Sequence, residues 1–299
     1  MSRLFNAYVI VDWSAAAKPT TGADSVWIGV MKRDVRFRLA FEAFNPSTRA
    51  EAETKLTALL DDFRKRSERA LLGFDFPLGF PRGFANALNL PGDAPWRSAW
   101  DQLGKMVKDK PDNTNNRFGV GSEINRRMTG GPFPFWGCPP KDALTTLQPK
   151  RTREHGPDDL PEFRHADAAA KAASIWKLYY NGSVGGQALL GIPFVRRLQA
   201  ARGDGFRIWP FETGFRPLAE TDLAGIEVVA AEVYPSLYKA QPGPGEVKDL
   251  AQVRATAEHF AKLDEAGKLG AVFGPGKDLA HEVVAEAERE EGWILGVEG

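Results

Sequence analysis

The sequence has a single cysteine, Cys138, among 299 residues, and it carries no excess of charge of either sign. One cysteine excludes an internal disulfide and any cysteine-rich zinc cluster, which favours a reducing compartment. Lysine plus arginine and aspartate plus glutamate both total 39, so no overall basic field attracts nucleic acid or membranes. Any binding site for a polyanion must therefore be local.

Long apolar runs are also missing from the chain. No segment approaches the roughly 18 residues that a membrane-spanning helix requires, and the N-terminus lacks the charged-then-apolar pattern of a secretion signal. We therefore expect a cytoplasmic protein with no membrane partner. A content of 43% hydrophobic and 26% charged residues is that of an ordinary globular protein with one large domain or two modest ones.

The first part of the chain is rich in β-strand signals. A first strand is predicted in the apolar run that leads to Asp12, and two more at 25–33 and 35–44, which form a hairpin joined by Asp34. Segment 45–69 opens with capping residues and carries leucines at helical spacing, which predicts an amphipathic helix. The apolar run 70–76 predicts a central strand. This order predicts an α/β fold with a mixed sheet, whose fourth strand lies parallel and close to the first.

The middle of the chain has a different texture. Between residues 80 and 205, proline, glycine and aromatic residues are frequent, which indicates an elaborated, helical and loop-rich insertion with a helix at 167–180. Later segments predict a strand at 225–235 and a mostly helical stretch at 245–273. We therefore predict a core formed by 1–79 and 206–299, with 80–205 inserted and packed on the same domain.

Single carboxylates stand near the ends of three predicted strands, at Asp12, Asp75 and Glu232. A buried carboxylate without a partner is costly, so each needs a cation or hydrogen-bond donors. Hard divalent cations take oxygen ligands, and paired cations can clamp the reacting oxygens of a phosphodiester. With a helix carboxylate, Asp264, these residues form a predicted catalytic and metal-binding set for Mg²⁺ or Mn²⁺. Glu212 competes for the third position, but the strand that carries Glu232 is longer and more apolar.

A purely structural interpretation of the same acids stays open. In it, Asp12 caps a turn, Asp75 accepts backbone N–H bonds, Glu232 pairs with an arginine, and Asp264 is a solvated surface residue. The glycine-rich stretch "GSVGGQALLG" (182–191) has the flexibility of a phosphate loop, but it lacks the Lys-Ser/Thr pair of a P-loop. We therefore do not predict binding of a nucleoside triphosphate.

Three motifs carry a resemblance to a known family. "VDWS" (11–14), "GFDFPLGFP" (73–81) and "EVYPS" (232–236), in this order and spacing, resemble the domain of unknown function 429 family. The resemblance covers residues 5–78 and 206–299, and the insertion only loosely. It implies a ribonuclease-H-like fold, with acids of the family at Asp12, Asp75 and Glu232.

The resemblance also bears on the last helix. The family often has an Asp-Ala-x-Asp-Ala helix, and "LDEAGKLGAV" (263–272) keeps Asp264 but has Gly267 where a second aspartate falls. The function predicted is that of a metal-dependent hydrolase, a nuclease or phosphoesterase, acting on nucleic acid or on a small phosphate ester. The alternative is a non-catalytic binding or accessory protein on the same fold, with a small-molecule or protein partner.

Overall fold

A computed structural model describes residues 3–299 of the chain. Its strands are β1 (Ala7–Asp12), β2 (Trp27–Arg33), β3 (Leu39–Phe44), β4 (Ala70–Phe74), β5 (Phe206–Ile208) and β6 (Val228–Glu232). They form one sheet in the order β3-β2-β1-β4-β6-β5. Strands β1 to β3 pair antiparallel, whereas β4, β6 and β5 run parallel to β1. The predicted α/β class, the mixed sheet and the parallel pairing of the first and fourth strands are confirmed.

The burial of each strand follows its apolar pattern. All five residues of β4 and all five of β6 are buried, and β1 is buried except at Asp12. Continuous apolar runs of this kind are typical of parallel strands that are covered on both faces. The edge strand β3 instead alternates between half-buried and exposed positions.

The helices are α1 (Arg49–Lys65), α2 (Phe84–Ala87), α3 (Pro95–Met106), α4 (Arg117–Met128), α5 (His165–Ala170), α6 (Gly185–Arg202), α7 (Lys248–Glu265), α8 (Leu269–Val272) and α9 (His281–Glu286). Helix α1 begins after Thr48, whose hydroxyl accepts a hydrogen bond from the backbone N–H of Glu51. One apolar cluster joins α1 and α6 to one face of the sheet, and a second joins α7 to the other face. None of the helices in residues 3–299 combines the length and apolar character needed to cross a membrane.

Two predicted elements are shorter in the structure. The helix expected at 167–180 is only α5, because the chain turns at Lys171, which has a left-handed φ of 52°. The helical stretch expected at 245–273 is divided into α7 and α8 by Gly267, which has a φ of 67°. Glycine accounts for the second break, because it adopts a left-handed φ at no steric cost. The alanines around Lys171 favour helix by propensity, so the end of α5 is set by tertiary structure and not by local sequence.

Helix α6, in segment 80–205, packs in the same apolar cluster as the strands. The rings of Phe194 and Trp13 stack with centroids 5.3 Å apart. The ring of Phe76 fills the space beside Gly191. A Cβ at position 191 would lie only 2.2 Å from Cζ of that ring. This close packing directs the N-terminal end of α6 toward the end of β1. The division of the chain at residues 79 and 206 into core and insertion remains a sequence-based prediction.

Candidate metal centre

Asp12 and Asp75 lie side by side at the carboxyl ends of β1 and β4. Val11 and Phe74 are partners in the parallel register, so the residues that follow them are neighbours. The two carboxyl groups are close enough for either one, when protonated, to donate a hydrogen bond to the other. The backbone N–H of Trp13 also donates to Oδ1 of Asp75, at 2.7 Å. The pairing of adjacent parallel strands thus brings two distant acids into contact.

The environment of this pair favours a retained proton. Burial raises the pKa of Asp12 well above its ordinary value, and the charge of Asp75 raises it further. Burial also raises the pKa of Asp75, to about 7, although the hydrogen bond from Trp13 acts in the opposite direction. No basic side chain in residues 3–299 lies within 4.0 Å of either carboxylate. The pair is an acidic site without a resident cationic side chain.

The pair opens into a cavity of about 260 Å³. The lining includes acids, amides and hydroxyls: Asp12, Asp75, Asp167, Glu232, Gln187, Gln252, Ser183 and Tyr234. All three predicted strand-end acids therefore line one cavity at the same edge of the sheet. Oxygen-rich linings of this kind suit a hard cation or a ligand with polar groups.

Glu232 is bound by an arginine that the sequence did not point to. Arg164 donates from Nη2 to Oε1 of Glu232 at 2.6 Å and from Nη1 to Oε2 at 2.7 Å. Arg164 also contacts Oδ1 of Asp167 at 2.7 Å, and all three side chains are buried. Burial raises the pKa of Glu232, although the nearby Arg164 opposes this effect. The geometry matches the alternative in which Glu232 pairs with an arginine, and it does not favour Glu232 as a direct metal ligand.

The choice of Glu232 over Glu212 for the central part of the sheet agrees with the topology. Strand β6 lies between β4 and the edge strand β5. Glu212 follows β5, where Oε2 accepts hydrogen bonds from the backbone N–H of Ile208 and from Gln199. Glu212 therefore stabilises the turn after the edge strand.

The prediction that Asp264 is a fourth ligand is corrected by its position. Its carboxylate accepts hydrogen bonds from the backbone N–H groups of Leu4 and Phe5 at 2.9 and 2.8 Å, and from the Tyr8 hydroxyl at 2.7 Å. These residues lie at the start of β1. A strand rises about 3.3 Å per residue, so Asp264 and Asp12 are on the order of 20 Å apart. Asp264 fastens α7 to the chain near the beginning of β1.

Asp249, in the first turn of α7, is the helix carboxylate that lies near the pair. Its charge raises the pKa of both Asp12 and Asp75. Its Oδ2 accepts a hydrogen bond from the backbone N–H of Asp24 at 2.8 Å. Asp249 and Asp264 are fifteen helical residues apart, a distance of about 22 Å along the axis of α7. The extended chain from Phe5 to Asp12 has nearly the same length, at about 3.3 Å per residue. An antiparallel helix held by Asp264 at one end must therefore place Asp249 near the other end of β1.

A second group of possible ligands lies elsewhere. Within residues 3–299, one set of three such side chains has all its ligand atoms within 4.8 Å of one another: His165, Glu286 and Glu291. Asp12, Asp75 and Asp249 are spaced more widely than this. In the compact set, Arg82 already supplies a cation, with Nη1 3.3 Å from Nε2 of His165 and 3.6 Å from Oε2 of Glu286. We therefore do not assign a metal to the histidine set.

Comparison with known proteins gave no match to this chain among protein-family models, curated proteins or solved structures. The assignment of this centre therefore depends on its geometry and chemistry.

The retained proton predicts how stability varies with pH. Because Asp75 has a pKa of about 7 when folded and 3.8 ordinarily, the folded state keeps a proton that the unfolded chain loses between these values. The contribution of the pair to the free energy of unfolding should therefore fall as pH rises from about 4 to about 7. Urea unfolding in EDTA at several pH values would measure it. The wild type should lose more stability over this range than the double variant Asp12→Asn/Asp75→Asn, and parallel curves would contradict the shared proton.

Proposed function

We propose that this protein is a divalent-metal-dependent hydrolase of phosphodiesters, with Asp12 and Asp75 as the central metal ligands. The observation that carries the proposal is a pair of adjacent acids on neighbouring parallel strands, at one cavity, with no basic side chain within 4.0 Å in residues 3–299. Two like charges in contact are unfavourable without a cation. Buried acids that have only a structural role are normally paired with a basic side chain. The pair is therefore suited to hold Mg²⁺ or Mn²⁺.

The donor set fits a hard cation. Asp12 and Asp75 offer carboxylate oxygens toward the cavity, and Asp249 adds a third negative charge from α7. Oxygen ligands of this kind are preferred by Mg²⁺ and Mn²⁺. When bound, a divalent cation supplies Lewis-acid polarisation of a phosphoryl oxygen and activates water for attack. The protein's own part is to hold the acids in register and to release their shared proton.

Arg164 and Glu232 have a supporting role in this proposal. Because both oxygens of Glu232 are bound by Arg164, this acid fixes one wall of the cavity. The backbone N–H of Leu78 also donates to Oε2 of Glu232, at 3.1 Å. That bond ties the chain after Asp75 to β6. We therefore assign to Glu232 the positioning of the loop that follows Asp75.

We also propose that the core is ribonuclease-H-like. Three antiparallel strands followed by a helix and a parallel fourth strand, with acids at the ends of the first and fourth, support this assignment. The resemblance of "VDWS", "GFDFPLGFP" and "EVYPS" to the domain of unknown function 429 family points the same way. Because a fold hosts many functions, the acid pair carries the argument for activity.

Two aspartates on α7 provide a matched test. Asp249→Asn should lower Mn²⁺ affinity about tenfold and leave the free energy of unfolding unchanged, because it removes one charge near the pair. Asp264→Asn should lower the free energy of unfolding by about 2 kcal/mol, since it weakens buried hydrogen bonds, and should leave Mn²⁺ affinity unchanged. Calorimetric Mn²⁺ titration and urea unfolding measure the two effects.

Hydrolysis of bis(p-nitrophenyl) phosphate tests the activity itself. The wild type should hydrolyse it with Mn²⁺ and not with EDTA, and Asp249→Asn should be slower than Asp264→Asn at equal Mn²⁺. If Asp264→Asn lowers Mn²⁺ affinity and hydrolysis while Asp249→Asn leaves both unchanged, the metal lies at the other end of β1 and the proposal is wrong.

One observation favours the alternative of a non-catalytic binding protein. The three acids Asp12, Asp75 and Asp249 do not form a set within 4.8 Å, as a compact metal site would. Under this alternative, the cavity takes a polar ligand that hydrogen-bonds the protonated pair. Ligand binding without Mn²⁺ and an absence of metal-dependent hydrolysis would support it.

A further inference from the structure

Arg117, the first residue of α4, is a buried arginine without a carboxylate partner. Three arginines are buried in the described part of the chain, and two of them have ion pairs: Arg49 with Asp109 at 2.6 Å and Arg164 with Glu232 at 2.6 Å. Arg117 is 6% exposed, and no carboxylate in residues 3–299 lies within 4.0 Å of its guanidinium.

The hydrogen bonds of Arg117 are also incomplete. Its guanidinium makes one bond, from Nη1 to Oδ1 of Asn115 at 3.0 Å, while Nε is buried with no acceptor in the described chain. Burial and the charge of Arg49 lower the pKa of Arg117 to about 10, so it remains cationic at neutral pH. A buried, unpaired cation is unfavourable, and a bound anion would compensate it.

Arg117 faces a long groove of about 1160 Å³. The lining carries other basic and aromatic side chains: Lys18, Lys141, Phe118, Tyr179 and Tyr180. Two acids, Asp24 and Asp142, also line it, so the groove is not uniformly positive. Gly182, Ser183 and Gln187 line both this groove and the cavity of the acid pair, which makes the two spaces adjacent.

The N-terminal end of α6 lies between the two spaces. Helix α6 has 18 residues, and its N-cap, Val184, offers no side-chain hydrogen bond. The backbone N–H groups of Gly186 and Gln187 find no acceptor within residues 3–299. Free N–H groups and the helix dipole favour an anion at such an end. Gly185 permits the close packing of segment 175–177 against this end, because a Cβ there would lie 2.0 Å from the carbonyl oxygen of Ile175.

Exposed aromatic rings complete the groove. Tyr179 is 38% exposed and Tyr180 is 44% exposed, and their ring centroids are 4.8 Å apart. Exposed aromatic rings beside basic groups are the usual platform for unpaired bases, which stack on them. Paired bases in a duplex do not offer their faces to a side chain. The combination therefore favours a single strand over a duplex.

We propose that this groove binds single-stranded nucleic acid, with a backbone phosphate at Arg117 and the N-terminal end of α6 and with bases stacked on Tyr179 and Tyr180. The strand then continues past Gly182 and Ser183 and places a neighbouring phosphodiester at Asp12 and Asp75. The cleavage of that strand rests on the proposed function, whereas its binding in the groove does not. A local cationic site of this kind is compatible with the zero net charge of the chain.

Fluorescence anisotropy with a 5′-fluorescein-labelled thymidine 12-mer, in EDTA, tests the groove without the metal. Arg117→Gln should weaken binding at least tenfold, and it should reduce the slope of log K against log salt by about 0.7, the value for one phosphate contact on a single strand. Arg36→Gln is the matched control, because Arg36 is an exposed arginine in the β2–β3 hairpin at the opposite end of β1. It should change the affinity less than twofold. An equal loss in both variants, or no loss in Arg117→Gln, would overturn the proposal.

Further measurements separate the remaining outcomes. Arg117→Gln should leave the melting temperature unchanged or raised, because it removes an unpaired buried charge. A lower melting temperature with unchanged affinity would make Arg117 structural and end the proposal.

If Arg117→Gln does not fold, Tyr179→Ala is the second variant. It should weaken 12-mer binding about tenfold, and unchanged binding would overturn the proposal. Thymidine monophosphate or inorganic phosphate that binds as tightly as the 12-mer would also overturn it. Binding that depends on Arg117 while Asp12→Asn leaves Mn²⁺ affinity unchanged would support the groove and contradict the hydrolase.

Discussion

Asp12→Asn should lower Mn²⁺ affinity at least 100-fold and abolish metal-dependent hydrolysis, while the melting temperature without metal stays unchanged or rises. The asparagine amide keeps a hydrogen bond to Asp75 and removes the repulsion between two acids in contact. Functional residues often lower stability, so their neutralisation tends to raise it. Calorimetric Mn²⁺ titration, differential scanning fluorimetry in EDTA and a phosphodiesterase assay measure the three effects.

Asp93→Asn provides the control for this prediction, because Asp93 is an exposed aspartate in the loop before α3. It makes the same chemical change and should alter neither affinity nor activity. If Asp12→Asn instead lowers the melting temperature clearly and leaves Mn²⁺ affinity unchanged, Asp12 is a capping residue and the metal centre is wrongly assigned.

Arg164→Met should lower the free energy of unfolding by about 3 to 5 kcal/mol. The guanidinium of Arg164 contacts both Glu232 and Asp167, and its removal leaves two buried acids without a cation among residues 3–299. Urea unfolding at neutral pH would measure the loss. Arg127→Met is the matched control, because Arg127 forms an exposed ion pair with Glu123 and should cost less than about 1 kcal/mol.

A double variant tests the cause of that loss. In Arg164→Met/Glu232→Gln, one of the two uncompensated charges is gone, so part of the stability should return. If the double variant is as unstable as the sum of the single variants, Arg164 acts through packing alone and not through charge compensation.

The fold and half of the candidate centre could be predicted from local patterns. Apolar runs that end in an acid mark β1 and β4, and the helix between β3 and β4 makes those strands parallel neighbours. Asp12 and Asp75 were therefore found by reasoning that needs only adjacent segments. The mixed sheet follows from the same order of elements, since antiparallel hairpins and a crossover connection have distinct sequence signals.

The partners that come from distant segments could not be predicted in this way. Arg164 precedes a short helix and contacts Glu232, 68 positions later, and no periodic signal links them. Asp249 is not prominent in the sequence because it lies in a polar first turn, whereas Asp264 stands out as an acid inside a predicted helix and also matches a family motif. A usable signal was present: Asp249 precedes the buried Val253 by one helical turn, so it lies on the side of α7 that faces the sheet.

The bonds from Leu4 and Phe5 to Asp264 also constrain when the protein can fold during synthesis. They join residues about 260 positions apart, and β1, which is made long before α7, has one face covered by that helix. Until the ribosome has released residue 265, the side chains of Tyr8 and Ile10 have no helix to cover them. Long-range closure of this kind slows folding, and the nascent chain meanwhile presents an apolar strand face to which chaperones can bind.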